Sequence, residues 1–91
     1  MENYEMNEKF YVYIIQSKKD KSLYIGQTNN LSRRIYEHNN GFSAYTKQKL
    51  PWDLVWYCAF NNRLQAERFE KYLKTGSGRA FVKRRLINYP P

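Results

Sequence analysis

The sequence predicts an α+β domain: a three-stranded antiparallel β-sheet with flanking helices, in the order β-β-α-β-α-α. Three short segments carry the alternating or continuous apolar pattern of strands. Three other segments place apolar residues at helical spacing between capping and stop residues. Helices that follow a short antiparallel sheet, instead of alternating with every strand, are typical of the α+β class.

Two of the strands form a predicted hairpin near the N-terminus. Apolar residues alternate with tyrosines over residues 10–14, and residues 23–26 repeat the pattern. The polar segment between them predicts a turn centred near residues 18–19. With that centre, Tyr13 lies directly opposite Tyr24, at roughly 5 Å across the strands. Two phenol hydroxyls are then expected to share one small site.

The first helix and the third strand follow the hairpin. Polar side chains at residues 28–30 are suited to cap a helix over residues 31–39, and Asn40-Gly41 ends it. A polar loop over residues 42–51 leads to a strand over residues 52–60. The continuous apolar run of that strand predicts that both of its faces are covered.

Two further helices complete the predicted domain. The second covers about residues 63–74, and Thr-Gly-Ser-Gly at 75–78 is expected to break it before a last helix over about 80–87. Residues 76–79 also resemble an anion-binding loop, with a plain helix stop as the alternative. Residues 1–91 are expected to form one domain, with residues 1–8 frayed and a core from about 10 to 87.

The charge balance points to a polyanionic partner. Sixteen Lys and Arg against eight Asp and Glu give a net charge of +8. Such a surface suits a nucleic acid, and a merely soluble basic surface is the alternative. The nine Tyr, five Phe and two Trp are either stacking platforms for unpaired bases or ordinary core residues.

The sequence also predicts where the protein works. A single cysteine, Cys58, excludes an internal disulfide and fits a reducing compartment. No stretch is long and apolar enough to span a bilayer, and the N-terminus lacks the apolar run of a signal peptide. We therefore expect a cytoplasmic protein without a membrane partner.

Helical geometry sorts the candidate residues of the first helix. Leu31 and Ile35 lie about 40° apart and define its buried stripe. His38 falls within about 20° of Leu31, and Arg34 within about 60°. Arg33 lies about 160° away, on the opposite side. We therefore expect Arg34 and His38, one helical turn apart, to face the sheet and to converge on a single anion.

The second helix offers one inward-leaning carboxylate. Ala66, Phe69 and Leu73 form its predicted buried stripe. Glu70 lies about 40° from Ala66, at the edge of that stripe. Its alternative role is a surface ion pair with Lys74, just as Arg34 has the alternative of pairing with Glu37 or Glu70.

The ordered set of these residues resembles the GIY-YIG nuclease family. The set consists of Tyr-Val-Tyr at 11–13, Tyr-Ile-Gly at 24–26, Arg34, His38 and Glu70. The resemblance runs from about residue 10 to the mid-80s. It is closest to the small stand-alone members and more distant to the N-terminal domain of the excinuclease C subunit. Tyr11 stands where the family has its first glycine, and Gln27 where it often has lysine.

The resemblance implies a metal-dependent endonuclease with the GIY-YIG fold and Mg²⁺ or Mn²⁺ as cofactor. By this resemblance Tyr13 is the general base or proton relay for the attacking water, and Glu70 is the metal ligand. Tyr24 is read as orienting the water or a phosphate oxygen. A free phenol has a pKa of about 10, so Tyr13 needs nearby cations that favour the phenolate.

The chemistry of diester hydrolysis assigns the remaining roles. A guanidinium suits the charge that develops on phosphate oxygens, which points to Arg34. His38 has three open roles: it polarises Tyr13, accepts its proton, or donates to the phosphate. With Glu70 as the inward carboxylate, a metal would complete its shell with water and phosphate oxygens.

DNA is the expected partner, in single-stranded, branched or damaged form, with low sequence specificity and a role in repair or recombination. No small-molecule cofactor is expected. The alternative is a non-catalytic nucleic-acid-binding module with the same fold. Phosphate contacts carry no sequence information. The residues expected to bind the nucleic acid are polar or basic: Lys18, Lys19, Lys21, Gln27, Arg33, Lys47, Lys49, Arg79, Lys83 and Arg84.

Overall fold

The regular elements follow the predicted order in the computed structural model, which describes residues 8–87. They are strands β1 (Phe10–Ser17) and β2 (Leu23–Thr28), helix α1 (Leu31–Asn39), strand β3 (Trp52–Phe60), and helices α2 (Arg63–Leu73) and α3 (Gly76–Phe81). A 3₁₀ turn, Lys47–Lys49, precedes β3, and a π-helical turn, Val82–Leu86, continues α3. The predicted α+β class is confirmed. Of the residues expected to be frayed, 1–7 lie outside the described residues.

Strand β1 is the centre of the sheet. It pairs antiparallel with both neighbours, which gives the strand order β2-β1-β3. Residues 12–15 are at most 1% exposed, because helices or loops cover both faces of this strand. Each fully buried isoleucine here contributes about 1.5–3 kcal/mol relative to an exposed one.

Strand β3 is an edge strand, and the prediction that both of its faces are covered is wrong. Trp56, Cys58 and Phe60 pack against the core, but Tyr57 between them is 52% exposed. The register shifts at a bulge, where Ile14 pairs with Trp56 and Ile15 with Leu54. The edge position and the bulge explain why a continuous apolar run lies on a strand with an open face.

The register of the hairpin differs from the prediction. Tyr13 pairs with Gly26, and Tyr24 pairs with Ile15, so the two tyrosines are diagonal neighbours on one face instead of opposite each other. The reason lies in the turn, where the main-chain N–H of Ser17 donates to the carbonyl of Ser22 at 2.9 Å. The loop is therefore residues 18–21, and its centre moves one residue towards the C-terminus.

The sheet separates two apolar clusters. On one face Val12, Ile14 and Ile25 pack against Ala66 and Leu73 of α2 and against the end of α3. On the other face, Tyr13, Ile15 and Trp52 pack against Leu31 and Ile35 of α1. The buried stripes predicted for α1 and α2 are confirmed. Among the described residues no helix has the length and apolar character needed to cross a membrane.

Side-chain caps fix where the first two helices begin. The Oδ1 atom of Asn30 accepts from the main-chain N–H of Arg33 at 3.1 Å, and that of Asn62 accepts from Gln65 at 3.1 Å. Gly41 follows α1 with a φ of +76°, a conformation that glycine adopts without a steric penalty. The cap at Asn30 and the end of α1 at Gly41 agree with the sequence prediction.

The second helix ends before the Thr-Gly-Ser-Gly segment as predicted, but that segment begins helix α3, so the predicted start of the last helix at about residue 80 is wrong. Thr75 is the cap, and its hydroxyl accepts from the N–H of Gly78 at 3.0 Å. Gly78 is buried, and a Cβ on it would lie 2.6 Å from the Cα of Leu73. The glycine thus permits close contact between the start of α3 and the end of α2.

This contact predicts opposite outcomes for two neighbouring glycines. We expect Gly78→Ala to lower the free energy of unfolding by about 2 kcal/mol or more, because the new methyl group meets main-chain atoms that cannot move cheaply. Gly76→Ala is the matched control, because a Cβ there meets nothing within 4 Å. It should leave stability unchanged or raise it by up to about 1 kcal/mol. Urea unfolding measures both, and equal effects would contradict the assignment.

Candidate active site

Tyr13 lies at the centre of the site, on β1. Its side chain is buried, and its hydroxyl oxygen is 2.8 Å from Nε2 of His38. Gly26 pairs with Tyr13 across the strands, and a Cβ at residue 26 would lie 2.6 Å from the Cζ of the phenol ring. The ring of Tyr13 therefore occupies the space that any side chain at residue 26 would need.

His38 is fully buried and is held at both ring nitrogens. Its Nδ1 lies 2.8 Å from Oγ1 of Thr46, which is also fully buried. Thr46 is in turn held by its carbonyl oxygen, which accepts from Nε1 of Trp52 at 2.9 Å. Sequence reasoning missed Thr46, because a single threonine in a polar loop has neither periodicity nor motif spacing. The ring of His38 faces the sheet as predicted, but both of its nitrogens are already occupied.

The hydrogen bonds favour one arrangement of protons. The Arg34 guanidinium lies close enough to the Tyr13 hydroxyl to lower its pKa, and a guanidinium can only donate towards the phenol oxygen. The phenol proton is then directed to Nε2 of His38. Nδ1 carries the proton of the imidazole and donates to Thr46. This chain of bonds runs from α1 through β1 to the loop before β3.

Burial keeps both Tyr13 and His38 neutral. It raises the pKa of Tyr13 to about 12, although the hydrogen bond from Arg34 acts in the opposite direction. Burial, with the nearby charge of Arg34, lowers the pKa of His38 to about 4. As a general base, Tyr13 would need nearby cations that favour its phenolate form. In the protein without metal or substrate, the cost of desolvation outweighs Arg34.

Tyr24 and Arg34 border the buried pair. The ring of Tyr24 lies 6.4 Å from that of Tyr13 and 5.1 Å from the imidazole of His38, measured between centroids. Arg34 donates to Glu37 at 2.9 Å, which is the alternative pairing that the sequence offered. Burial acts to lower the pKa of Arg34, but its bonds to Glu37 and Tyr13 outweigh that effect and raise it. The guanidinium is therefore always charged.

Glu70 lies on helix α2. Its side chain is 20% exposed, and Oε2 accepts from Nζ of Lys74 at 2.7 Å, so the alternative ion pair is also present. The negative charge of Glu70 lies near enough to Tyr13 to contribute to its raised pKa. Tyr13, Tyr24 and His38 therefore lie together, and the charges of Arg34 and Glu70 act on Tyr13.

Glu70 offers one carboxylate to a divalent cation. Within residues 8–87, no three His, Cys, Asp or Glu side chains form a group that could hold a metal ion. Magnesium often binds proteins through one or two carboxylates and completes its shell with water and substrate phosphates. Glu70 fits that pattern, provided that a phosphate supplies further oxygens.

The basic residues of the hairpin turn and of the 3₁₀ turn lie at one end of the sheet. Nζ of Lys19 donates to the carbonyl of Gln48 at 3.2 Å, and Nζ of Lys49 lies 3.5 Å from a carboxylate oxygen of Asp20. Lys18 forms an ion pair with Asp53 at 3.4 Å. Lys21 and Lys47 are exposed in the same two segments.

The other predicted binding residues are spread over different surfaces. Arg79 and Lys83 line a cleft beside β2, and Arg84 lines a separate cleft with Tyr72 and Ser77. Gln27 pairs with Val12 across the strands, so it lies on the face of the sheet that packs on α2. Arg33 points away from the sheet, 3.9 Å from Glu37.

Comparison with known proteins identifies the family. Residues 9–85 match the sequence model of the GIY-YIG catalytic domain. This chain belongs to the GIY-YIG family. The sequence model describes a catalytic domain, and the family is one of nucleases.

Relatives of this GIY-YIG chain are small proteins of similar length. A UPF0213 protein of Clostridium perfringens is 49% identical over 65 residues, which cover 70% of this chain and 69% of the relative. One of Staphylococcus haemolyticus is 46% identical over 70 residues, covering 76% and 84%. The solution NMR structure of the UPF0213 protein BH0048 from Bacillus halodurans has a TM-score of 0.51 at 34% identity, covering 81% of each chain. These names specify no reaction.

Because His38 is buried in its neutral form, we expect acid to destabilise this GIY-YIG domain. The pKa of its imidazole is about 4 in the folded protein against 6.5 as the ordinary value, so the unfolded chain binds more protons between them. Lowering the pH from about 8 to about 5 should therefore reduce the free energy of unfolding by about 2 kcal/mol. Urea unfolding at both pH values measures this, and the change should vanish in His38→Gln. His38 is the sole histidine, so its NMR titration can be followed without ambiguity. An imidazole of the folded protein that titrates near pH 6.5 would contradict this prediction.

We expect the hydroxyl of Thr46 to stabilise the fold through its hydrogen bond to His38. We expect Thr46→Val, which keeps the shape but removes the hydroxyl, to cost about 1–3 kcal/mol, because Nδ1 of His38 loses its buried partner. Thr46→Ser keeps the hydroxyl and should cost about 1 kcal/mol or less. Thermal unfolding compares the two variants. A Thr46→Val variant as stable as the wild type would show that the hydroxyl contributes nothing and would contradict the prediction.

Proposed function

We propose that this protein is a metal-dependent endonuclease that hydrolyses phosphodiester bonds in DNA with low sequence specificity. The observation that carries the proposal is the buried Tyr13 hydroxyl, which is hydrogen-bonded to His38 and lies within reach of the charges of Arg34 and Glu70. A domain that only binds phosphates gains nothing from a phenol and a histidine held in this way. Repair or recombination of DNA is the setting that we propose for the activity.

Proton transfer in this proposal passes through a neutral phenol. The oxygen of a water molecule attacks phosphorus, and the bond to the leaving oxygen breaks. The proton of that water moves to the hydroxyl oxygen of Tyr13 while the proton of Tyr13 moves to Nε2 of His38. No free phenolate is formed, which suits a phenol whose pKa is raised to about 12. The leaving oxygen takes its proton from solvent.

Charge stabilisation comes from Arg34 and Glu70. Arg34 stays charged and presents forked donors to the phosphate oxygens as their negative charge grows. Glu70 would hold Mg²⁺ or Mn²⁺, which when bound polarises the phosphate and neutralises the leaving oxygen. Tyr24 lies beside both Tyr13 and His38, where its hydroxyl can orient the water or a phosphate oxygen.

A non-catalytic nucleic-acid-binding module is the second candidate. The observation in its favour is the Lys74 ammonium, which lies 2.7 Å from the Glu70 carboxylate that a metal would need. The basic residues at the hairpin and along α3 serve either function equally. Cleavage, and not binding, therefore decides between the two candidates.

Cleavage assays with matched variants test the proposal. Labelled single-stranded, duplex and branched DNA are incubated with Mg²⁺ or Mn²⁺. We expect Tyr13→Phe to lower the rate by about 10²–10⁴-fold, because the proton relay is lost. Glu70→Gln should abolish the metal-stimulated rate while leaving the fold intact. Tyr57→Phe, on the neighbouring strand β3, is the control for Tyr13→Phe. Glu67→Gln, on the same helix as Glu70, is the control for Glu70→Gln.

Two results would reject the nuclease. The first is a wild-type protein that binds every substrate and cuts none with either metal. The second is cleavage by Tyr13→Phe at the rate of Tyr57→Phe, with circular dichroism showing both variants folded.

A further inference from the structure

A cleft lies beside the proposed catalytic residues, on the open edge of β2. Its volume is about 280 Å³, just under the roughly 300 Å³ at which sites for drug-sized ligands begin. This size suits one nucleotide. Its lining combines aromatic, aliphatic and basic side chains: Leu23, Tyr24, Ile25, Tyr45, Lys74 and Arg79.

Tyr45 forms an exposed aromatic wall of this cleft. Its side chain is 69% exposed, and its ring centroid lies 5.7 Å from that of Tyr24. The next residue, Thr46, is fully buried and bonded to His38 and Trp52, so the main chain that carries Tyr45 is fixed to the catalytic pair. An exposed ring held in place loses little entropy when a planar base stacks on it.

Two cations form the other wall. Nζ of Lys74 lies beside Glu70, and Nε of Arg79 donates to the carbonyl of Lys74 at 3.2 Å, which holds both residues at the end of α2. Arg79, Leu23 and Ile25 also line the neighbouring cleft of about 260 Å³. The two clefts thus form one groove along β2 that leads away from Tyr24.

We propose that this groove binds a single-stranded segment of nucleic acid, with an unpaired base stacked on Tyr45 and the backbone phosphates on Lys74 and Arg79. The inference rests on the proposed function, because the bound nucleotide would neighbour the phosphate to be cut. An aromatic ring reaches the face of a base only where that base is unstacked, so paired duplex cannot use Tyr45. DNA and RNA offer the same base and phosphate chemistry to this groove.

Binding without metal tests the groove apart from catalysis. Fluorescence anisotropy in EDTA compares a single-stranded DNA, an RNA of the same sequence and a blunt DNA duplex. We expect Tyr45→Leu to weaken single-strand binding by about 5- to 100-fold and to change duplex binding less than twofold. Tyr36→Leu is the matched control, because Tyr36 is 61% exposed and packs on Phe42. Arg79→Gln should weaken binding of all three and reduce the salt dependence by about one phosphate contact.

The outcomes separate this inference from the proposed function. If Tyr45→Leu binds single strands as tightly as Tyr36→Leu, or weakens the duplex equally, the groove proposal fails, whatever the wild type cuts. If Tyr45→Leu loses single-strand binding while wild type cuts nothing with Mg²⁺ or Mn²⁺, the groove stands and the nuclease proposal fails. If wild type binds none of the three nucleic acids, both fail. Equal losses on DNA and RNA support a groove that does not distinguish the sugar, and a loss on one alone identifies the substrate.

Discussion

The hydrogen bond between Tyr13 and His38 is the interaction on which the rest of the structure depends. It joins the central strand to helix α1 inside the core, where an unpaired hydroxyl or imidazole costs about 1–3 kcal/mol. In a domain of this size the core is small, so the surrounding chain is arranged to satisfy both groups. Thr46 completes the pair, and the amide of Asn39 joins the end of α1 to the main chain of Trp52 through bonds of 2.7 and 3.0 Å.

The two faces of the sheet differ in composition and in role. The face towards α2 and α3 is almost wholly apolar and supplies most of the hydrophobic stabilisation. The face towards α1 contains the polar chain from Tyr13 to Thr46 within a smaller apolar cluster. Glu70 lies on α2, which packs on the first of these faces, yet its charge acts on Tyr13, which lies on the other. The electrostatics of the candidate site therefore depend on the position of α2 as well as on the hairpin.

Features set by neighbours in sequence were predictable, and those set by distant contacts were not. Helical spacing correctly placed His38 against the sheet and Ala66 and Leu73 in the core, because one helix face is fixed by local geometry. The hairpin register depended on how Ser17 bonds within its own turn, and a shift of one residue in the turn moved Tyr24 by two positions. The open face of β3 depends on the place of that strand in the sheet, which no short window records. Thr46 and Gly78 contact residues close in sequence, but each contact depends on how the chain turns back on itself, which no periodic pattern records.

The glycine at residue 26 shows that the two tyrosine motifs form one steric unit. It lies in a regular strand, and the space above its Cα belongs to the ring of Tyr13. The large ring of Tyr13 fits only because residue 26 has a hydrogen atom in place of a side chain. Substitutions at the two positions should be coupled: a chain that replaces the phenol by a small residue becomes free to replace the glycine. A relative that keeps the glycine without the tyrosine would carry the trace of an ancestor that had both.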